Sequence, residues 1–374
     1  MANTRRAQGA GSVYLRKDGR FAASANYEGK RITKYGKTKK EAWDSLQSYL
    51  DDLKQGKAVI GPKQTVKQYL EHWLENEHRL EIGIVSLTRY RSVLRAQLIP
   101  AFGDLQLDQL TREKVQAFYV EKLDSGLAPN TIHSIHATLS AALNSAVENG
   151  ILAKNVCLKV VLPRKLRKKP HVLNKEQATR LVAAARGKRL WFLILMAMTT
   201  GARVGELLSL HWEDIDVNNL RIHIHRTVSR IPGLGQVERS QPKTKSGSRR
   251  VVLTQAVVDG ISEQKEYIEQ IRQHAGIRWH NDLDLVFPNR DGSYLNSETV
   301  RSELRMILTE AGLDSRKFHE LRHSAATLLF AAGVNPKVVQ EMLGHSNIAM
   351  TLGLYGDVLP DMQQEVADIM DDIF

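Results

Sequence analysis

The chain has 374 residues, with 53 Lys plus Arg against 41 Asp plus Glu, a formal charge of +12 at pH 7. At about 150 residues per domain this length fits two or three domains, and 42% hydrophobic with 25% charged residues describes a globular rather than a disordered chain. The longest apolar run, 190–198, has nine residues and is too short to cross a bilayer. The opening MANTRRAQGAGSVYL has no apolar stretch followed by a small-residue cleavage site, so the cytoplasm is the expected location. The single cysteine, Cys157, excludes an intrachain disulfide framework and a multi-cysteine zinc site. The surplus positive charge points to an anionic partner, nucleic acid or membrane, without choosing between them.

Residues 1–58 are expected to form a small basic unit. The first 60 residues carry 13 Lys plus Arg against 6 Asp plus Glu, more than half of the whole chain's excess. Three strands are expected at 12–16, 21–27 and 30–35, punctuated by Asp18-Gly19 and Glu28-Gly29. A helix follows over 38–54, with Thr38 and Glu41 spaced as a capping box. Arg16, Lys17, Arg20, Lys30, Arg31 and Lys34 are candidate DNA contacts, because a sheet this basic can sit in a groove. The plain alternative is a solvated charged face.

Gly61-Pro62 marks a linker, and 63–157 reads as a helical domain. Helices are expected from Thr65 to Leu80, from Ser86 to just before Pro100, from Thr111 to Leu123 and from Pro129 to Asn149, enough for a small bundle. Arg89, Arg91 and Arg95 are candidate phosphate contacts there. Residues 158–172 read as a basic interdomain linker. No acidic residue lies between Glu148 and Glu176, whereas Arg164, Lys165, Arg167, Lys168 and Lys169 cluster between Pro163 and Pro170. A positive strap suits a protein that closes on DNA, and an ordinary tether or a nuclear-targeting segment is the generic alternative.

Residues 173–374 are expected to form a mixed α+β, mainly helical domain. Asn174 caps its first helix, and the buried-looking stretch 189–210 is interrupted at Gly201. A strand over 220–227 pairs with one over 249–253 across a polar, glycine-rich segment. Helices follow at 255–273, 298–310, 319–332 and 336–343, the last with Asn335 at its N-cap, Pro336 at N1 and Gly344 at its C-cap. The tail 361–374 carries Asp361, Glu365, Asp368, Asp371 and Asp372 with no basic residue. Met362, Val366, Ile369, Met370 and Ile373 recur there at helical spacing. Such an acidic helix binds phosphate poorly and suits docking, on its own domain or on a neighbour.

The chemistry concentrates in this last domain. Arg203 and Glu206 are three apart on one helix face, where the carboxylate can orient the guanidinium. His319 and Arg322 repeat that spacing, and His345 and Tyr355 follow near the C-terminus. Lys245 lies in a turn from which a long side chain reaches into a site, with Lys243 as a rival two positions upstream. Two arginines form a receptor for phosphoryl oxygens, and with His345 they can stabilise the charge that develops when a phosphodiester is attacked. A tyrosine hydroxyl needs a base or a cationic site to become nucleophilic, and the leaving 5′ oxygen needs a proton that a lysine of lowered pKa can supply. The scheme requires no metal and no cofactor. His319 and His323 also have the i,i+4 spacing of a zinc pair but lack a third ligand in the sequence, and His223 and His225 share a strand face as supporting residues.

The ordered segments TTGARVGELLSL, KTKSGSRR, FHELRHS and LGHSN, followed by Tyr355, resemble those of the tyrosine recombinases, the phage and conjugative-transposon integrase family, over nearly the whole chain. The resemblance implies catalytic roles for Arg203, Lys245, His319, Arg322, His345 and Tyr355, with Glu206 in support. Tyr355 would form a 3′-phosphotyrosyl link and release a 5′ hydroxyl. It further implies an arm-type DNA-binding domain at 1–58, a core-binding domain at 63–157, and a tetramer on two duplexes that exchanges strands through a Holliday junction. An excision-directing accessory protein and a host DNA-bending protein are the further partners it suggests, and the tail helix would pass to the neighbouring protomer. Ten positions separate His345 from Tyr355, where some relatives have nine. A type IB topoisomerase and a noncatalytic DNA-binding regulator are the competing readings.

Overall fold

The computed structural model describes residues 11–27, 30–54, 64–165, 171–240, 247–280 and 282–355, and for 30, 52–54 and 353–355 the backbone alone. The chain divides into two compact units, Met1–Arg167 and Lys168–Phe374. Among the described residues no helix is long and apolar enough to cross a membrane.

The first unit contains two apolar cores. Strands β1 (Ser12–Leu15), β2 (Phe21–Tyr27) and β3 (Lys30–Gly36) form an antiparallel sheet in that order, and helix α1 (Lys39–Lys54) packs against it. Ala23, Ala25 and Ile32 face Ala42, Leu46 and Leu50 across that contact. Thr38 caps α1 by accepting from the Glu41 amide, while the Glu41 carboxylate reaches back to the Lys37 amide.

The second core is helical, built from α2 (Val66–His72), α3 (Ile84–Val93), α4 (Ile99–Phe102), α5 (Arg112–Asp124) and α6 (Pro129–Glu148). Thr65 and Gln68 close a capping box at α2. The expected helix over 65–80 changes character after His72, passing through a π turn, Trp73–Glu77, and a short 3-10 turn, His78–Leu80. A second π turn, Leu94–Leu98, joins α3 to α4 and carries the chain through Pro100 instead of stopping before it. The wide turn shifts the hydrogen-bonding pattern, so Pro100 falls in the first turn of α4, where a missing amide is tolerated. Residues 156–165 pack on this unit: Val160 and Leu162 lie against its core, the Val161 amide donates to the Gln116 side chain, and the His133 ring meets the Pro163 carbonyl.

The second unit begins with α7 (Lys175–Ala185), capped by Asn174 with Gln177. Helix α8 (Trp191–Thr200) is apolar all round and buried, and α9 (Val204–Leu207) follows after Gly201. Strands β4 (Ile215–Asp216), β5 (Arg221–Ile224) and β8 (Arg249–Val252) form one sheet in the order β4-β5-β8, and β6 (Thr227–Ile231) pairs with β7 (Gly235–Arg239) in a separate hairpin. The expected strand over 220–227 therefore ends early. His225 and Arg226 both bond Asp214, which draws the chain out of the first sheet before β6 starts. Helices α10 (Gln255–Ala275), α11 (Ser297–Glu310), α12 (Phe318–Ala331), α13 (Pro336–Leu343) and α14 (Ile348–Tyr355) complete the described residues. A small β/α domain, a helical body and a mainly helical α+β unit are thus the observed architecture.

Gly201 closes α8 with a left-handed φ of 61°, and a Cβ there would lie 2.4 Å from Leu343 Cδ2. Gly201→Ala should therefore lower the stability of the second unit by about 1–3 kcal/mol, through backbone strain and overpacking together. Denaturant unfolding would check this; an unchanged midpoint would contradict the close packing of the two helix ends.

Candidate active site

Two left-handed turns set the site. Helix α8 ends at Gly201 and α13 ends at Gly344, with φ of 61° and 69°. Arg322, on α12, is 1% exposed and lies between these turns. It donates one terminal nitrogen to the Gly201 carbonyl and the other to the Leu343 carbonyl, each at 2.7 Å. Both acceptors belong to helix C-termini, where the peptide dipoles favour a cation. Burial first, then the charges of Arg203 and Arg249, bring Arg322 down to about 9, which leaves it protonated at neutral pH.

Arg203 stands two residues beyond Gly201, at the N-cap of α9. Its amide donates to Glu206 Oε2 at 2.9 Å and its Nη1 to Glu206 Oε1 at 2.7 Å. The Arg203 side chain remains 39% exposed, whereas that of Glu206 is 8% exposed. Burial opposes ionisation of Glu206, but the hydrogen bond and charge of Arg249, with the Arg203 amide and charge, outweigh it and hold the carboxyl below its ordinary range.

His345 follows Gly344 directly. It is 7% exposed, its Nδ1 is 2.9 Å from Thr351 Oγ1 on α14, and its carbonyl accepts from the Gln340 side chain. Burial first, then Arg322 and Arg203, push its ring down to about 4. His319, on the first turn of α12, is likewise pushed to about 4 by burial, His323, Arg322 and Arg203. His319 is exposed, so solvent screens that field at its ring, whereas His345 is buried within it. Both imidazoles are neutral at pH 7 in the free protein. His319 and His323 meet edge to face, 4.7 Å between ring centroids, and His223 and His225 stack at 4.3 Å. Among the described residues no group of three or more His, Cys, Asp or Glu could hold a metal ion.

Arg203, Glu206, His319, Arg322 and His345 are thus assembled in one cluster. Lys245 and the tail helix 361–374 lie outside the described residues, as does the side chain of Tyr355, whose backbone ends α14 one turn after Thr351. Two further members come from the structure. Thr351 orients His345, and Arg249, on β8, donates to Glu206. Arg249 had a signal in the sequence: strand alternation puts it on the same buried face as Val251, and an inward charge needs a partner.

The candidate DNA contacts are dispersed. Arg31 shares the sheet's open face with Thr33 and Tyr35, while Arg16 and Arg20 are exposed beside the Tyr35 ring, 5.0 and 5.8 Å from its centroid. Lys17 is exposed. Lys34 points to the other face, 3.4 Å from the centroid of Tyr49 on α1. Arg89 and Arg95 are exposed, but Arg91 donates Nε and Nη2 to the two oxygens of Glu75, both at 2.6 Å, which leaves less of it for phosphate. Arg164 and Lys165 are exposed; Arg167, Lys168, Lys169 and the side chain of Lys30 lie outside the described residues.

Fold and cluster together define a multidomain α+β protein with three arginines and two histidines gathered around two helix ends. Comparison with known proteins identifies the group to which it belongs. Residues 171–361 match the phage integrase family, and residues 65–123 match its N-terminal SAM-like domain. A XerC-like tyrosine recombinase of Caldanaerobacter subterraneus is 30% identical over 365 residues, covering 92% of this chain and 93% of the relative. The ICEBs1 integrase of Bacillus subtilis is 28% identical over 283 residues, 75% of this chain and 76% of the relative. Among solved structures, the Tn1549 transposon integrase in complex with transposon right end DNA superposes with a TM-score of 0.67 at 22% identity, covering 81% of this chain and 100% of that one. A lambda integrase tetramer bound to a Holliday junction gives 0.60 at 20% identity, covering 94% of this chain and 96% of that one. The chain belongs to the phage integrase family.

The depressed His345 sets a pH dependence. Its ring is neutral in the folded protein down to about 4, against an ordinary value of 6.5, so the unfolded chain takes up the proton first as pH falls. Its contribution to stability is complete above about pH 6.5 and is lost progressively towards about pH 4. Denaturant unfolding across this window should show a shallower slope in His345→Gln than in the parent chain; identical slopes would contradict the assignment.

Proposed function

We propose that this chain catalyses site-specific DNA recombination, the integration and excision of a mobile element, through a phosphotyrosyl intermediate. The observation that carries the reading is the cluster itself: Arg203 and Arg322, ordered by Glu206 and two helix ends, with neutral His319 and His345, on the unit whose last described helix ends at Tyr355.

In this reading the Tyr355 oxygen attacks the scissile phosphorus in line. A Tyr–O–P bond forms as the bond from phosphorus to the 5′ oxygen breaks. The phenolic proton passes to a neutral imidazole, for which His319 is suited, and Lys245 delivers a proton to the departing 5′ oxygen. Arg203, Arg322 and His345 hold the nonbridging oxygens, whose charge grows in the transition state. A 5′ hydroxyl from a second duplex then attacks the phosphotyrosyl bond and restores the diester, exchanging strands. The scheme conserves phosphodiester energy and consumes no cofactor.

Domains at 1–58, 63–157 and 173–374, joined by the basic stretch 158–172, fit arm-type DNA for the first and core-type DNA for the other two. Relatives described as bound to a Holliday junction, to core sites or to transposon-end DNA support duplex binding and assembly as a tetramer on two duplexes. The acidic tail 361–374 suits docking on the neighbouring protomer. An excision-directing accessory protein and a host DNA-bending protein fit the same role, and the cytoplasm fits a protein acting on chromosomal DNA. The reading favours recombination over topoisomerase-like relaxation because a basic first domain and a docking tail serve synapsis.

Nicked duplexes carrying candidate core sites, sought as short repeats at the boundaries of the element, provide the test. The parent chain should become covalently linked to the 3′ phosphate, and Tyr355→Phe should give no adduct while binding the same DNA. An undiminished adduct with Tyr355→Phe would reject the nucleophile, and no adduct with the parent chain would reject the reaction.

A further inference from the structure

We propose that Arg249 is a positioning residue for the cleavage step: it fixes the Glu206 carboxylate, and through it the Arg203 guanidinium, relative to the turn that carries His345. The inference rests on the recombinase reading above and adds to it a residue outside the expected set.

Arg249 opens β8 and is 9% exposed. A guanidinium buried this deeply is tolerated only when its nitrogens are paired. Its Nη2 donates to Glu206 Oε2 at 2.8 Å, its Nε donates to the Met342 carbonyl at 2.6 Å, and its Nη1 makes a long contact of 3.5 Å with the Gly247 carbonyl. The Glu206 carboxylate therefore lies between two guanidiniums, with Arg203 Nη1 on Oε1 and Arg249 Nη2 on Oε2. Consecutive carbonyls at the end of α13 are also shared between two arginines: Met342 accepts from Arg249 and Leu343 accepts from Arg322. The relay runs from the helix end before His345, through Arg249 and Glu206, to Arg203.

Geometry separates this role from that of an ordinary ion pair. The Arg203 side chain is 39% exposed, and its anchoring carboxylate is 8% exposed. Without Arg249, Glu206 would keep a single, partly solvated partner, and the pair could drift together as surface pairs do. A planar fork holds the carboxylate and a carbonyl at once. Lysine retains the charge but replaces the rigid planar fork by a single tetrahedral nitrogen on a flexible stem, so it does not hold the two acceptors in one fixed plane.

The test is single-turnover cleavage by the full-length chain on the nicked duplexes described above, comparing the parent, Arg249→Lys, Glu206→Gln and the double variant, with DNA affinity and melting temperature measured alongside. Arg249→Lys should cleave roughly 10- to 100-fold more slowly at saturating DNA, with affinity unchanged and the fold intact. In the Glu206→Gln background the same substitution should cost less than about twofold, because the two residues act through one path. Cleavage by Arg249→Lys at the parental rate, additive losses in the double variant, or a loss explained by weaker DNA binding would each overturn the proposal. If Arg249→Lys is unstable, Arg249→Met combined with Glu206→Gln replaces it and is compared with Glu206→Gln alone; equal rates support the relay and a further loss overturns it. Absence of an adduct with the parent chain overturns the recombinase reading and this proposal with it, whereas failure of the coupling alone leaves that reading standing.

Discussion

Arg322 joins the two helix ends that the candidate site is built on. Placing a guanidinium at 1% exposure costs several kcal/mol in lost hydration. The cost is offset here by two charge-assisted hydrogen bonds, to the Gly201 and Leu343 carbonyls, and by the dipoles of the helices that end there. The arrangement works only because both helices end in a left-handed turn at glycine, which lets α8 and α13 approach until a methyl group at 201 would meet Leu343. Arg203 leaves one of these turns and His345 the other. A residue that touches two backbone carbonyls thereby sets the spacing between two side chains it does not bond.

Charge is organised around that core. Two guanidiniums, those of Arg203 and Arg249, flank the Glu206 carboxylate, which stays ionised despite its burial, and with Arg322 nearby the cluster is net positive. Burial and the same field keep the His345 ring neutral, and the ring of the exposed His319 is lowered in the same direction. Fixed cations beside neutral imidazoles are what the proposed phosphodiester chemistry requires before its substrate arrives, the preorganisation that oxyanion chemistry rewards. Thr351 holds the His345 ring from α14, the helix that ends at Tyr355, so the histidine and the tyrosine backbone belong to one packed segment.

Much of this was legible in the sequence, and the missed parts have physical reasons. The caps at Thr65, Asn174 and Asn335 and the left-handed turns at Gly201 and Gly344 follow local rules, and all are present. Arg203 and Glu206 do meet, but not on one helix face as expected: Arg203 is the extended N-cap of α9, and Glu206, at the third helical position, reaches back to its amide and guanidinium. The π turns at Trp73–Glu77 and Leu94–Leu98 left no local signature, since they accommodate packing around a shared core. The break between β5 and β6 depends on Asp214, distant from both strands in any pairing rule. Arg91 looked available for phosphate because its partner, Glu75, lies on another element. Thr351 is an ordinary polar residue until the fold brings it to His345.

One buried guanidinium maintains both turns, and hydrogen–deuterium exchange tests this directly. In Arg322→Lys, amides at 201–207 and 343–351 should lose protection together, by about tenfold or more, while both segments stay protected in Arg203→Lys. Unchanged protection in Arg322→Lys, or loss confined to one of the two segments, would contradict the account.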